Sequence, residues 1–283
     1  MGVLFLTAVF DRSSLFAVFL TAAADRSSLE WIVYFVQNYW LQFLTGAGVT
    51  LLIALSGTLV GFAIGLIIGI IRTVPVNPES SKLRRGLYRV VDLILVSYIE
   101  IFRGTPMIVQ AMVIFYGLAH AFSLRLPTIL AGFLIVSINT GAYMAEIVRG
   151  GILSIDRGQT EAAHAIGMTH WQTMVTVILP QAIRNILPAL GNEFVINIKD
   201  TSVLNVISVT ELYFTTKSIA GNNFKYFEVF FVTCVLYFVM TFSVTRILRR
   251  IERKMDGSSS YTVHGSQTVP ESEIKIKGDL RHG

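Results

Sequence analysis

Glu193, Asn197, Lys199, Asp200 and Thr201 are the residues best suited to handle charge, because they interrupt a stretch that is otherwise largely apolar. Helical spacing places Glu193, Asn197 and Asp200 on neighbouring parts of one face. An ionisable group exposed to hydrocarbon costs at least a few kcal/mol, so such residues face a bundle interior or a water-filled path. A polar stripe of this kind could line a route through a membrane. For Lys199 and Asp200 a cap or an ion pair at the membrane boundary is the competing reading. Covalent chemistry has no comparable candidates. The chain contains no Gly-x-Ser-x-Gly elbow, no His-Glu-x-x-His pair and no Gly-x-x-x-x-Gly-Lys-Ser/Thr phosphate loop, and its five histidines are scattered without metal-ligand spacing. The one polar loop of any length is too short to bury an active site of its own. Neither an enzyme, nor a nucleotide cradle, nor a metal centre is expected in this chain.

The elements that would hold the stripe are membrane helices. Of the 283 residues 53% are hydrophobic and only 14% charged, and mean hydropathy is +0.62, too few charges to cover a water-facing surface. The net charge of +5 follows the ends of apolar spans and forms no single basic face, which argues against nucleic acid. Apolar windows at 49–71, 107–122, 129–145 and 226–247 are each near the length of a span. A fifth, at 186–209, carries the polar stripe and is doubtful by hydropathy alone. Lys and Arg mark cytosolic loops. They gather after the first span (Arg72, Lys82, Arg84, Arg85, Arg89, Arg103), after the third (Arg149, Arg157, Arg184) and at the end of the last (Arg246, Arg249, Arg250, Arg253, Lys254). Those sides are therefore expected inside, with the start of the first span outside and the carboxyl terminus cytosolic.

Glu161-Ala162-Ala163, then Gly167, then Val177-Ile178-Leu179-Pro180 form a polar, glycine-containing connection between apolar spans. The segment resembles the EAA loop of ABC importer permeases, with Val177 standing where Ile is usual. Further blocks strengthen the likeness to the polar amino acid (histidine/glutamine-type) branch of these permeases: Arg103-Gly104-Thr105-Pro106, Asn139 to Glu146, Gly158-Gln159, and Ile198-Lys199-Asp200-Thr201-Ser202. Together they cover roughly residues 31–254.

The resemblance implies an all-α integral membrane protein of the type I ABC importer permease fold, with about five transmembrane helices, in a bacterial plasma (inner) membrane. It implies a translocation subunit for polar amino acids that is not itself an enzyme. ATP and Mg would be bound by a partner ABC ATPase dimer, a second permease subunit would complete a homo- or heterodimer, and an extracytoplasmic solute-binding protein would deliver the amino acid. Glu161, Ala162, Ala163, Gly167, Leu179 and Pro180 would belong to the coupling loop, about 158–180, that docks on the ATPase. Taken alone, the same loop reads as an ordinary helical connector ended by Pro180. An ion-coupled secondary carrier or channel using Glu193 and Asp200, or a scaffold that moves no solute, are the alternatives from other classes.

Gly57, Gly61, Gly65 and Gly69 recur every four residues along one face of the first span, a ladder that permits close helix packing within the chain or across a dimer. Glu146 and Arg149 are spaced for an ion pair at the inner end of the third span. Thr105 and Pro106 read as the N-cap and first residue of the second. Before them, Leu87, Val91, Ile94, Tyr98 and Ile101 suit a helix lying in the interface, or a tilted start to that span. Cys234, the single cysteine, is expected as a buried thiol. Residues 1–30 form an extension containing a direct repeat, Phe5-Leu6-Thr7-Ala8 with Asp11 to Leu15 and Phe19-Leu20-Thr21-Ala22 with Asp25 to Leu29, that suits neither a signal peptide nor a span. The permease domain is 31–255. Polar residues dominate 256–283, which reads as a disordered cytosolic tail. Deleting 256–283 is expected to leave membrane insertion and transport at the level of the full chain, as measured by solute uptake.

Overall fold

A computed structural model describes residues 26–74 and 81–255, and all regular structure among them is helical. The repeat up to Asp25 and the tail from Asp256 lie outside the described residues. Helix α1 (Ser28–Thr73) is followed by α2 (Lys82–Gly104), α3 (Met107–Phe122) and α4 (Thr128–Leu153). Two short helices, α5 (Arg157–Ala165) and α6 (His170–Thr173), lead through a π turn at Met174–Ile178 into α7 (Leu179–Asp200). A 3₁₀ turn at Thr201–Ile207, α8 (Leu212–Asn223) and α9 (Tyr226–Met255) complete the chain.

Helix α1 begins earlier than the apolar window at 49–71. Ser27 accepts from the Glu30 amide while the Glu30 carboxylate accepts from the Ser27 amide, a reciprocal cap that starts the helix inside the second copy of the repeat. Its 46 residues extend about 69 Å, more than twice the thickness of a hydrocarbon core. The first half packs Phe35 and Phe43 against Leu212, Ile219 and Ala220 of α8 and Val229 and Val232 of α9. The glycine ladder lies in the second half and faces α4. A β-carbon added at Gly57, Gly61, Gly65 or Gly69 would come within 2.5–2.6 Å of Val136, Thr140, Met144 and Val148 in turn. Only glycine admits that approach, so the ladder is filled by a helix of the same chain.

The pairing runs in the same sense on both helices, so α1 and α4 are parallel. Two consecutive parallel crossings need a return between them, and α2 with α3 supplies it as one broken span bent by 116°. Tyr98 of α2 donates to the Ile138 carbonyl at 2.5 Å, and Ile99 packs with Ala145 and Ile68. This resolves the competing readings of α2 towards a tilted first portion of the span. At the bend the expected roles are corrected: Thr105 ends α2, its hydroxyl donating to the Ile101 carbonyl, while Pro106 precedes α3 without a side-chain cap. Pro106 lacks an amide proton, so the open carbonyls of α2 recruit Gln110 instead, whose amide donates to Phe102 and Thr105.

The doubtful window at 186–209 is helical. Helices α6 and α7 with the π and 3₁₀ turns form an apolar run, His170–Ile207, long enough to cross a membrane. Pro180 does not end it. The π turn just before Pro180 reorganises the backbone pairing at the place where the proline amide is missing, and the helix continues past Pro188. Beside the middle of α1, buried Glu211 caps α8 by accepting from the Tyr213 and Phe214 amides at 2.8 and 2.7 Å, and also from Tyr237 of α9 at 3.1 Å. Cys234 is exposed on α9, contrary to the expected buried thiol, because α9 is packed along only part of its circumference.

Gly65→Ala is expected to lower the thermal midpoint of the detergent-solubilised protein, by a destabilisation of about 1–3 kcal/mol from overpacking. Gly48→Ala, on the same helix with no atom within 4 Å of the added carbon, is expected to leave it unchanged.

Candidate functional site

Asn197 lies at the junction of three helices. Its amide nitrogen donates to Thr58 of α1 at 2.8 Å and to Thr140 of α4 at 2.9 Å, with all three side chains buried. The Thr58 and Thr140 hydroxyls can meet it because Gly57 and Gly61 have already brought α1 and α4 into contact. One turn before Asn197, Glu193 is buried at 4% exposure with neither an ion pair nor a hydrogen bond to another described residue. Thr201 is fully buried and donates to the Ile198 carbonyl at 3.0 Å. Asn197 and Thr201 are thus committed to holding the bundle, whereas Glu193 and the half-buried Asp200 keep free acceptors.

The charge pattern alone puts Arg103 in a cytosolic loop. The structure places it at the α2/α3 bend, beside the middle of α4, since the neighbouring Phe102 carbonyl accepts from Asn139 at 3.4 Å. Its guanidinium stands 5.7 Å from the centre of the Tyr143 ring. Glu193, Asp200 and Arg103 all lie within electrostatic range of the Tyr143 hydroxyl. The Tyr143 phenol thus feels one cation and two carboxylates, of which Arg103 is exposed, Asp200 half-buried and Glu193 buried. Lys199 does not join them; it points away, into a groove between α7 and α9, and forms no ion pair with Asp200. The signal for Arg103 is Gly104-Thr105-Pro106, a break that ends α2 beside the middle of α4 and leaves Arg103 exposed there.

Gln110 fixes this bend. It is 7% exposed, and besides its bonds to α2 it accepts from Asn139 of α4 at 2.8 Å. At the basic end of the bundle Glu146 receives Arg149 at 2.8 Å, as the spacing predicts, and Arg72 as well. Arg72 also meets Asp92 at 3.3 Å, and Tyr88 donates to the Ile71 and Val74 carbonyls at 3.1 and 3.2 Å. These contacts tie the ends of α1, α2 and α4 at one membrane boundary.

Beyond that boundary stand α5 and α6. Asp156 caps α5 through the Gly158 amide at 2.6 Å, and Gly167 closes it at φ +85°, with Gly167 donating to His164 and Met168 to Ala163. That double bond pattern needs a left-handed residue after the helix, which is why glycine stands there in open space. Thr169 and Gln172 form a capping box on α6. Ala163 is buried, but Glu161, Ala162, Ile166 and Trp171 are exposed, the last two at 79% and 65%. Leu179 and Pro180 stand just past the π turn, Leu179 half-buried and Pro180 exposed.

Comparison with known proteins places this geometry. The family described as "Binding-protein-dependent transport system inner membrane component" matches residues 80–257. The glutamine transport system permease protein of Escherichia coli (strain K12) is 41% identical over 211 residues, covering 74% of this chain and 91% of that protein. The L-cystine transport system permease protein of Bacillus subtilis (strain 168) is 35% identical over 221 residues, 78% of this chain and 89% of that one. Among solved structures, an amino acid ABC transporter crystallised with histidines superposes with a TM-score of 0.69 at 36% identity, covering 79% of this chain and 98% of that chain.

Asn197→Leu is expected to destabilise the solubilised protein by about 1–3 kcal/mol, the loss of two interhelical hydrogen bonds. Thr201→Val, which removes a bond within its own segment, is expected to cost less, and a thermal melt in detergent compares the two.

Proposed function

This chain belongs to the family of binding-protein-dependent transport system inner membrane components, and from that membership we propose how its own residues serve a polar amino acid. It is the membrane-spanning permease subunit of an ATP-driven ABC importer, a multi-pass protein of the bacterial plasma membrane. ATP hydrolysis belongs to a separate subunit, and the family works with a solute-binding protein. The relatives give no support to an ion-coupled carrier.

The observation that carries the substrate reading is the convergence of Arg103, Tyr143, Glu193 and Asp200. An amino acid is a zwitterion. Its carboxylate would meet Arg103 and its ammonium group Glu193 or Asp200, each charge being offered an opposite one. The glutamine, cystine and histidine-bound relatives support this class of solute. Lys199, exposed toward α9, is left out of the path, while Asn197 and Thr201 frame it.

Cations gather at the ends of α1, α4 and α9 and at the start of α2, which supports a cytosolic location for that boundary and for the carboxyl terminus. On this orientation α5 and α6 form the coupling element, about 158–180. Ala162 allows close approach of an ATPase subunit, Ile166 and Trp171 supply apolar contact, and Glu161 a polar one. Residues 31–255 act as the permease domain, and a second permease chain, identical or homologous, completes the path. ATP and Mg are bound by a dimer of ATPase subunits. As these close, the coupling elements transmit the motion, and the spans alternate between outward and inward openings.

In proteoliposomes with the ATPase and the solute-binding protein, Arg103→Gln is expected to cut uptake at least tenfold while binding-protein-stimulated ATP hydrolysis persists. Gly167→Val, which forces a β-branched residue into φ +85°, is expected to abolish both. Undiminished uptake by Arg103→Gln would refute the substrate site; full coupling in Gly167→Val would refute the coupling element.

A further inference from the structure

A groove between α7 and α9 lies apart from Arg103, Tyr143 and Glu193. Val195 and Lys199 of α7 line it with Phe238, Thr241, Phe242, Thr245, Arg246 and Arg249 of α9, around an open volume of about 390 Å³. Gly191 of α7 sits against Leu248. Because Gly191 lies six residues before Asn197 on the same helix, the Leu248 level falls at the end of the bundle where Glu146 and Arg72 pair. Arg246 and Arg249 flank that level. Along α9 the groove alternates aromatic rings and threonines, Phe238, Thr241, Phe242 and Thr245, at hydrocarbon depth and ends in the guanidiniums of Arg246 and Arg249 at the membrane boundary.

Its cations, Lys199, Arg246 and Arg249, have no ion-pair partner among the described residues, since the ion pairs there join only Arg72, Arg149, Asp92 and Glu146. Arg246 rests on the Phe242 ring at 4.8 Å. The Thr241 and Thr245 hydroxyls donate to the carbonyls one turn back, so they offer only lone pairs into the groove. Beyond it Arg250, Arg253 and Lys254 continue the basic run. Clusters of four to eight Lys or Arg just past a span, and basic pockets between spans, recognise acidic headgroups.

We propose that the α7/α9 groove holds one anionic phospholipid, its phosphodiester between Arg246 and Arg249 and an acyl chain along Phe238, Phe242 and Val195. Lys199 extends toward the same phosphate from within the hydrocarbon, as long basic side chains do. A free amino acid would leave the aromatic half unfilled, and a zwitterionic lipid would bring a fourth cation beside these three. The order along α9 holds for whichever leaflet faces the basic boundary.

The test uses the permease purified in complex with its ATPase and exchanged into phosphatidylcholine vesicles with phosphatidylglycerol as the sole anionic lipid. Lipid retained after detergent extraction is measured by mass spectrometry. A basic residue held against an anionic headgroup strengthens its binding about fivefold, so removing both groove arginines in R246Q/R249Q should lower retained phosphatidylglycerol at least fivefold. R250Q/R253Q, which removes the same charge outside the groove, should change it less than twofold, and R246K/R249K should keep most of it. Equal loss in both glutamine pairs would reduce the effect to diffuse surface charge and overturn the site. No loss in R246Q/R249Q would overturn it in favour of a second permease chain covering the groove. On the unaltered complex, photoactivatable phosphatidylglycerol should label 238–249 above a phosphatidylcholine analogue; labelling confined to 250–254 would overturn the proposal without any substitution.

Discussion

The close approach of α1 to α4 is the constraint on which the bundle rests. In lipid the hydrophobic effect does not press helices together, so packing between small faces and a few interhelical hydrogen bonds must do so. Four glycines at four-residue intervals bring the backbone of α1 against Val136, Thr140, Met144 and Val148. That contact makes α1 and α4 parallel, and the parallel pair obliges α2 and α3 to form a single broken return. It also brings the Thr58 and Thr140 hydroxyls within reach of one amide, so α7 is received at a seat that α1 and α4 build jointly.

A second level of organisation is polar. At three of the helix breaks a side chain takes over backbone groups left open: Gln110 at the α2/α3 bend, Glu211 at the start of α8 and Asp156 at the start of α5. Breaks inside hydrocarbon are tolerated only on that condition. The bend at Gly104-Thr105-Pro106 has a functional result as well as a structural one, because it carries Arg103 off the boundary and sets it over Tyr143.

Periodic features were the ones most legible in the sequence. The apolar windows, the four-residue glycine repeat, the Glu146 to Arg149 spacing and the polar loop are local patterns, and local spacing is enough to read them. Depth and direction were not legible. Arg103 counted as a loop cation because its placement depends on the angle at a proline, and Lys199 looked continuous with Asp200 although one helical step turns it toward α9. Cys234 was misplaced for a related reason: an apolar neighbourhood in the sequence does not distinguish a core from a face turned to lipid or to another chain. Gln110 and Glu211 are not legible in advance, since their near partners depend on where the helices break and their others, Asn139 and Tyr237, come from distant helices.

The two sides of the π turn differ in stiffness. Upstream, α5 and α6 are closed by side-chain caps and a left-handed glycine, so there is little fraying to absorb a displacement. Between them and α7 lie five residues in a looser backbone pairing, next to a proline that cannot donate. Stiff and compliant pieces are thus arranged in series. A push delivered at Trp171 moves α5 and α6 as a unit, and the angle through which α7 follows is set by how far the π turn yields, which makes those five residues the gear ratio between the loop and the polar core of the bundle.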